Sequence, residues 1–289
     1  MKNISIIGTG VMGSSIANAY IKAGFHTTIW NRTQSKTKLL VDSGAKLAKT
    51  VEDLILAGDI IISALGTYEN LLEILDSKKI DWKSKILVNV SSGTVKQARK
   101  FGEMANNKKI PYLDSSAMSG VKLVGHKDCL FLFSGDKNDF LKAKPSLEVL
   151  GIANYLGADF GLTPIYDTAL FTLAWGSLIG FYHASALLQT ENQDLEKFAV
   201  LATKHTKFIT TLFKQHSIEI KNGKYNNDDG NIDIHLSAME HVQTVSKESN
   251  LATDFPSFII NMLSKAQKIG FGDNGIASTV ETIKGNYEK

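Results

Sequence analysis

Ile4-Ser5-Ile6-Ile7-Gly8-Thr9-Gly10-Val11-Met12-Gly13 is the stretch on which the fold turns: an apolar, β-branched run leads into glycines spaced Gly-x-Gly-x-x-Gly, and residues with helical periodicity follow. A strand that passes into a helix through such a turn is built to receive a pyrophosphate. Gly8 permits the tight turn, Gly10 lets the backbone approach the ligand, and Gly13 allows close packing of helix on strand. The helix N-terminus adds N–H groups and positive potential. Thr9, Val11 and Met12 complete the turn and are read with the glycines as one dinucleotide site.

Outward from this unit the pattern repeats. Short β-branched runs near 3–8, 26–30, 46–48, 59–64, 85–90, 110–114, 129–134 and 153–156 alternate with amphipathic stretches at 11–23, 68–76, 94–106 and 137–149. That alternation predicts an α/β class, with a doubly wound, mostly parallel Rossmann sheet over residues 1–160. The texture changes at Thr163-Pro164, where Thr163 can cap a helix and Pro164 can take its first position. Residues 164–190 predict one long interdomain helix, helical segments follow near 193–216, and 221–230 is a polar loop. Helices near 232–249, 255–269 and 275–284 complete an all-α C-terminal domain over 161–289. A helix of about 27 residues extends roughly 40 Å. This one is apolar nearly all round (Leu170, Phe171, Leu173, Trp175, Leu178, Ile179), so a second copy of the chain is expected to cover it, giving an intertwined homodimer.

Composition excludes several classes. With 289 residues and 43% hydrophobic content the chain can bury two cores, and a net charge of +3 without a basic run argues against nucleic acid. The single cysteine, Cys129, can form no internal disulfide and reads as a buried, inert thiol beside a strand. No apolar run approaches the ~20 residues of a membrane span and no signal peptide precedes the first strand, so no membrane partner and a cytoplasmic location are expected. His183, His235 and His241 do not have metal-ligand spacing, and no metal is expected.

The end of the second strand decides which dinucleotide is bound. An NAD site usually has an Asp or Glu there; this chain has Trp30-Asn31-Arg32-Thr33, with Lys36 close by. Arg32 and Lys36 can pair a 2′-phosphate and Asn31 and Thr33 can hydrogen-bond it, which favours NADP(H). Later strand ends add Ala64-Leu65, Ser91-Ser92-Gly93-Thr94 and Ser116-Ala117-Met118 as further contacts, with Leu65, Ser92 and Thr94 foremost. A Ser or Thr at such a place serves equally as a helix cap, Thr94 above all.

These residues, together with Asn89-Val90-Ser91-Ser92-Gly93-Thr94, Tyr112-Leu113-Asp114, Gly161 to Leu170, Trp175-Gly176, Gly180 to Ala184 and Gly270 to Asp273, resemble the imine reductases, an offshoot of the β-hydroxyacid dehydrogenases. The resemblance runs through the whole chain. It implies a Rossmann domain, a long interdomain helix, a helical domain swapped with a partner, an active site shared between subunits, and NADPH reduction of cyclic imines or iminium ions to amines. In the hydroxyacid dehydrogenases a lysine stands six residues beyond a glycine at the start of the long helix; the same count from Gly161 reaches Asp167.

A carboxylate suits C=N reduction, since the iminium is a cation, whereas a ketone needs a proton donor. Asp167 can stabilise the iminium or deliver a proton, yet an Asp in the first turn of a helix also stabilises the dipole with no catalytic task. Tyr166 is an alternative donor. Phe171, Trp175, Leu178 and Tyr182 share the face of Asp167; Trp175 and Tyr182 are pocket candidates, and Phe171 and Leu178 read as dimer core. A partner helix carrying Met239, Glu240 and Gln243 would close the pocket. Ser119-Gly120-Val121 departs from the Ser-Gly-Gly that anchors hydroxyacid substrates, although Lys122 is near. The alternatives are a β-hydroxyacid dehydrogenase or related carbonyl reductase, and a non-catalytic NADP-binding dimer.

Overall fold

The computed structural model describes residues 2–76 and 80–285. Eight strands form one sheet: β1 (Asn3–Ile7), β2 (His26–Trp30), β3 (Lys46–Leu47), β4 (Ile60–Ser63), β5 (Ile86–Asn89), β6 (Tyr112–Ala117), β7 (Leu130–Gly135) and β8 (Ile152–Gly157). Their order is β3-β2-β1-β4-β5-β6-β7-β8. All neighbours are parallel except β6 and β7, which run antiparallel. The order reverses beside β1, between β2 and β4, and that switch point opens the crevice in which such sheets hold ligands.

The helices of this half are α1 (Val11–Lys22), α2 (Lys38–Asp42), α3 (Val51–Ala57), α4 (Tyr68–Asp76), α5 (Val95–Asn107) and α6 (Lys137–Leu147). Residues alternate across each strand, so the sheet feeds two cores. Ile4, Ile6, Ile60, Ile62, Ile86 and Val88 face one way, with Ile16 and Tyr20 of α1 and Phe140 of α6. Ile7, Ile61 and Leu87 face the other, with Leu54 of α3, Leu71 of α4 and Phe101 of α5. All eight strands lie where the sequence places them. α3 was not foreseen; Thr50 caps it by accepting from the Asp53 amide at 3.1 Å. Cys129 is buried just ahead of β7, and desolvation raises its thiol pKa, as the reading of an inert thiol requires.

The remaining helices are α7 (Leu162–Thr190), α8 (Leu195–Asn222), α9 (Ile232–Glu248), α10 (Asp254–Ala266) and α11 (Val280–Ile283). The chain divides into two compact units, Met1–Leu173 and Ala174–Lys289, and the division falls within α7. Thr163 and Pro164 are not the cap and first residue of α7, because the helix already begins at Leu162 and the buried Thr163 hydroxyl is turned toward β6. Against the expectation that no apolar run approaches a membrane span, α7 is by length and composition apolar enough to cross one. Its Thr and Ser residues lower the hydropathy of any short window without breaking the helix. α8 is longer than expected and ends at Gly223, whose φ of +64° terminates it in the left-handed conformation.

The helical unit has a small core of its own. Ile232, Leu263 and Ala266 are buried together, with Leu236, Met239, Ile259 and Phe271 packed around them. The end of α7 is joined to this unit by the stacked rings of Phe181 and Phe198, 5.5 Å apart, and by His183, whose Nε2 lies 3.0 Å from the Ser246 hydroxyl.

Candidate cofactor and active site

The glycine turn has the geometry its spacing predicts. Gly8 has φ +92°, which a residue with a side chain rarely adopts, and a Cβ there would lie 2.8 Å from the Ala64 carbonyl oxygen. A Cβ on Gly13 would lie 2.0 Å from the Gly8 oxygen, so α1 can approach β1 only without one. Around Gly10 nothing lies within 4 Å of the Cβ position, which leaves the backbone open to a ligand. No side chain caps α1 and its first turn carries no acidic residue, so no side chain of that turn satisfies its leading amides or opposes its dipole. The hydroxyls of Thr9, Ser63 and Ser91, at the carboxyl ends of β1, β4 and β5, are buried and make no hydrogen bond within the protein. Buried hydroxyls are seldom left so, and together with the open Gly10 backbone these residues fit a dinucleotide.

Beyond β2 a cavity of about 480 Å³ is lined by Asn31, Arg32, Thr33, Lys36, Leu65 and neighbouring residues. Five residues that the sequence assigned to one cofactor are thus brought together. Asn31 serves the frame of the site: its Oδ1 accepts from the Thr9 amide at 3.1 Å and its Nδ2 donates to the Thr33 carbonyl at 2.9 Å. Arg32 and Lys36 are exposed at the cavity and supply its positive charge. Glu73 of α4 contributes a carboxylate to the same wall, which counting from the glycines along the second strand does not reveal. Ser92 is exposed, whereas Thr94 caps α5 in a capping box with Gln97, accepting from its amide at 3.2 Å. The cap reading of Thr94 is the one its hydrogen bonds display.

Asp167 lies in the second turn of α7 and is half-buried, and desolvation raises its pKa above the ordinary carboxylate value. One turn earlier, Thr163 donates to Asp114 Oδ2 at 2.5 Å. Asp114, on β6, is buried and also accepts from Tyr112 Oη at 2.7 Å, Tyr68 Oη at 2.9 Å and Asn89 Nδ2 at 3.4 Å. Burial raises its pKa to about 6, against the opposing pull of those hydrogen bonds. The charge of Asp167 is felt at the Tyr68 hydroxyl, whose pKa is raised chiefly by desolvation and then by Asp114. This cluster is not among the sites expected from the sequence. Its signal was Tyr112-Leu113-Asp114 in a buried strand, where a period of two puts the carboxylate and the Tyr112 ring on one face.

Tyr166, Trp175 and Tyr182 are each about half exposed along α7. Met239 lines an apolar cavity of about 680 Å³ within the helical unit, together with Phe258, Met262, Leu263 and Ile283. Gln243, two turns from His235 on α9, is engaged with the Ser257 hydroxyl at 2.8 Å.

A doubly wound sheet with this glycine turn, a cavity beyond β2 lined by Arg32 and Lys36, and a helical second unit define a nicotinamide-dinucleotide oxidoreductase. Residues 3–157 match the model of the NAD binding domain of 6-phosphogluconate dehydrogenase, and residues 159–285 match that of the NADPH-dependent reductive aminase-like C-terminal domain. The chain belongs to the family of that NAD-binding domain and, within it, to the imine reductases and reductive aminases. It is 29% identical to the NADPH-dependent reductive aminase of Aspergillus oryzae over 98% of this chain and 97% of that protein. The solved reductive aminase of Aspergillus terreus, in complex with NADPH4, cyclohexanone and allyl amine, superposes with a TM-score of 0.89 at 27% identity, covering 98% of this chain and 100% of that one. Glyoxylate/succinic semialdehyde reductase 2 of Arabidopsis thaliana is 30% identical over only 54% of this chain and 45% of its own length.

Proposed function

We propose that this protein is an NADPH-dependent oxidoreductase that reduces a cyclic imine or iminium ion to an amine. Asp167 carries the reading: a half-buried carboxylate stands on the early turns of α7 where carbonyl-reducing relatives are expected to hold a lysine. Bound NADPH supplies the hydride. Gly8, Thr9, Gly10, Val11, Met12 and Gly13 hold the pyrophosphate against α1, and Arg32 and Lys36 hold the 2′-phosphate while Asn31 ties the two loops together. Leu65, Ser92 and Thr94 border the cofactor on the side of the later strands.

Asp167 faces the developing cation and favours the protonated C=N bond over the neutral one, which makes its carbon the better hydride acceptor. Its raised pKa also lets it carry the proton that the nitrogen takes up. Tyr166, Trp175 and Tyr182 wall the substrate, and a helix of the second subunit, the one that carries Met239, closes the pocket. The enzyme acts in the cytoplasm as a homodimer in which a second subunit completes the active site; the exposed apolar length of α7 and α8 supports that reading. Similarity to reductive aminases across the whole chain favours this reading over a hydroxyacid dehydrogenase, and turnover separates it from a non-catalytic dimer.

The test is NADPH oxidation with 2-methyl-1-pyrroline and, separately, with a 3-oxoacid, for the wild type and for Asp167→Ala. Turnover of the imine, reduced about a hundredfold or more by the substitution with NADPH affinity unchanged, is the expected outcome. Turnover of the oxoacid alone would return the chain to the carbonyl reductases.

A further inference from the structure

Three contacts fasten the first turn of α7. Asp159 accepts from Arg99 of α5 through Nε at 3.0 Å and Nη2 at 2.6 Å, and from the Gly161 amide at 2.9 Å. Phe160 fills a slot over Gly102, where a Cβ would lie 2.0 Å from its ring. Both hold the backbone ahead of the helix, and the Arg99–Asp159 pair is about half exposed. The third contact is of another kind. Thr163 is inside the helix, fully buried, and its hydroxyl is held by Asp114 and lies 3.2 Å from that of Ser134 on β7.

Residues 163 and 167 are four apart and share a helical face, so a rotation of the first turn at Thr163 is passed directly to Asp167. A buried carboxylate is a costly way to pack a helix on a sheet, because apolar side chains of similar volume do so without desolvating a charge. What it adds is direction. Tyr68, Tyr112 and Asn89 fix the plane of the Asp114 carboxylate, leaving Oδ2 aimed at Thr163. Tyr68 itself is braced: its ring closes on Gly93, where a Cβ would lie 2.5 Å away.

We propose that Asp114 is a positioning residue for Asp167: oriented by Tyr68, Tyr112 and Asn89, it holds Thr163 and so fixes the rotation of α7 that presents Asp167 to the substrate. This rests on the reading of Asp167 as the group that meets the iminium. Asp114 touches neither substrate nor cofactor in this scheme and acts only through α7.

A double-mutant cycle in steady-state kinetics with NADPH and 2-methyl-1-pyrroline tests it. Thr163→Val keeps the shape of the side chain and removes the donor; kcat is expected to fall about tenfold or more, with the KM for NADPH within about twofold. Thr163→Ser is expected to restore kcat to within about threefold, since the hydroxyl returns. In the Asp167→Ala background, Thr163→Val should cost the residual turnover nothing more. An equal loss in both backgrounds would overturn the proposal while leaving the role of Asp167 standing. A Thr163→Val enzyme that melts lower yet turns over normally would overturn it too. Unchanged turnover in Asp167→Ala alone would instead remove the reading on which it rests. If Thr163→Val does not fold, Tyr68→Phe carries the test: it keeps the ring on Gly93 and removes the hydroxyl that lies 2.9 Å from both Asp114 oxygens, and its kcat loss should likewise vanish in the Asp167→Ala background, an additive loss being the overturning result.

Discussion

The Rossmann unit and the helical unit bury their apolar residues in very different amounts. In the first, β1, β4 and β5 deliver isoleucines, a valine and a leucine alternately to two cores, and these are almost inaccessible to solvent. In the second, the buried apolar residues among those described are Tyr225, Ile232, Pro256, Leu263, Ala266 and Ala277, while Leu178, Phe208, Ile209 and Phe213 are each 41–55% exposed. A sheet with a helix layer on either side closes on itself. A set of long helices closes only when every apolar stripe finds a partner, and here much of that surface belongs to the proposed dimer. The same contrast separates the two kinds of proposed site: the residues proposed to hold the dinucleotide all lie within one unit, whereas Trp175 and Tyr182 stand exposed on α7.

The comparison breaks most visibly at the exposed helices. Leu178→Glu with Phe213→Glu should convert a dimer to monomers in analytical ultracentrifugation and abolish imine turnover, because each places a charge where a second subunit would bury it. Unchanged mass and activity would mean that the helical unit is sufficient alone. A second effect belongs to the Rossmann unit. Gly13→Ala should destabilise it by about 1–3 kcal/mol in urea denaturation, since the new methyl meets the Gly8 carbonyl. Gly10→Ala should leave the urea midpoint unchanged and weaken NADPH, because the methyl occupies only the space meant for ligand.

Asp114 offers a pH-resolved measurement. Its folded pKa, about 6, is raised above the unfolded aspartate value, so its proton favours the folded state. The stabilisation is full below the unfolded pKa and is lost as pH rises through about 6. Relative to Asp114→Asn, the wild type should therefore gain about 1.4 kcal/mol per pH unit as pH falls from about 6 toward the ordinary aspartate range. A difference that does not vary with pH would show that Asp114 is not the titrating group. The mildest change is at the cavity beyond β2: Arg32→Ala should weaken NADPH about tenfold, or about 1.4 kcal/mol, and leave NADH unaffected. Equal losses for both cofactors would remove the 2′-phosphate from that cavity.

The legibility of the chain follows the same division. The eight strands and the glycine turn could be read from Ile4 to Gly13 and its repeats, because strand alternation and φ > 0 at Gly8 are local requirements written in neighbouring residues. The antiparallel pairing of β7 with β6 could not, since Leu130 to Gly135 has the same composition whichever way it runs. Helix α3 was missed because seven residues give too little periodicity to register. Thr163 was misread as a cap for a related reason. Its neighbours Pro164 and Gly161 carry helix-start signals, and only the fold reveals that its hydroxyl has Asp114 to meet.

What the sequence by itself determined is whatever depends on contacts between near neighbours: the βα repeat, the cradle of Gly8, Gly10 and Gly13, the basic end of β2 at Arg32 and Lys36, and the carboxylate at Asp167. What only the tertiary structure decided is whatever joins residues far apart in the chain. Tyr68, Asn89, Tyr112, Asp114 and Thr163 come from four different elements, and nothing in their separate surroundings shows that they converge. A hydrogen bond depends on distance and angle in space, and the sheet order sets both after the local rules have been satisfied.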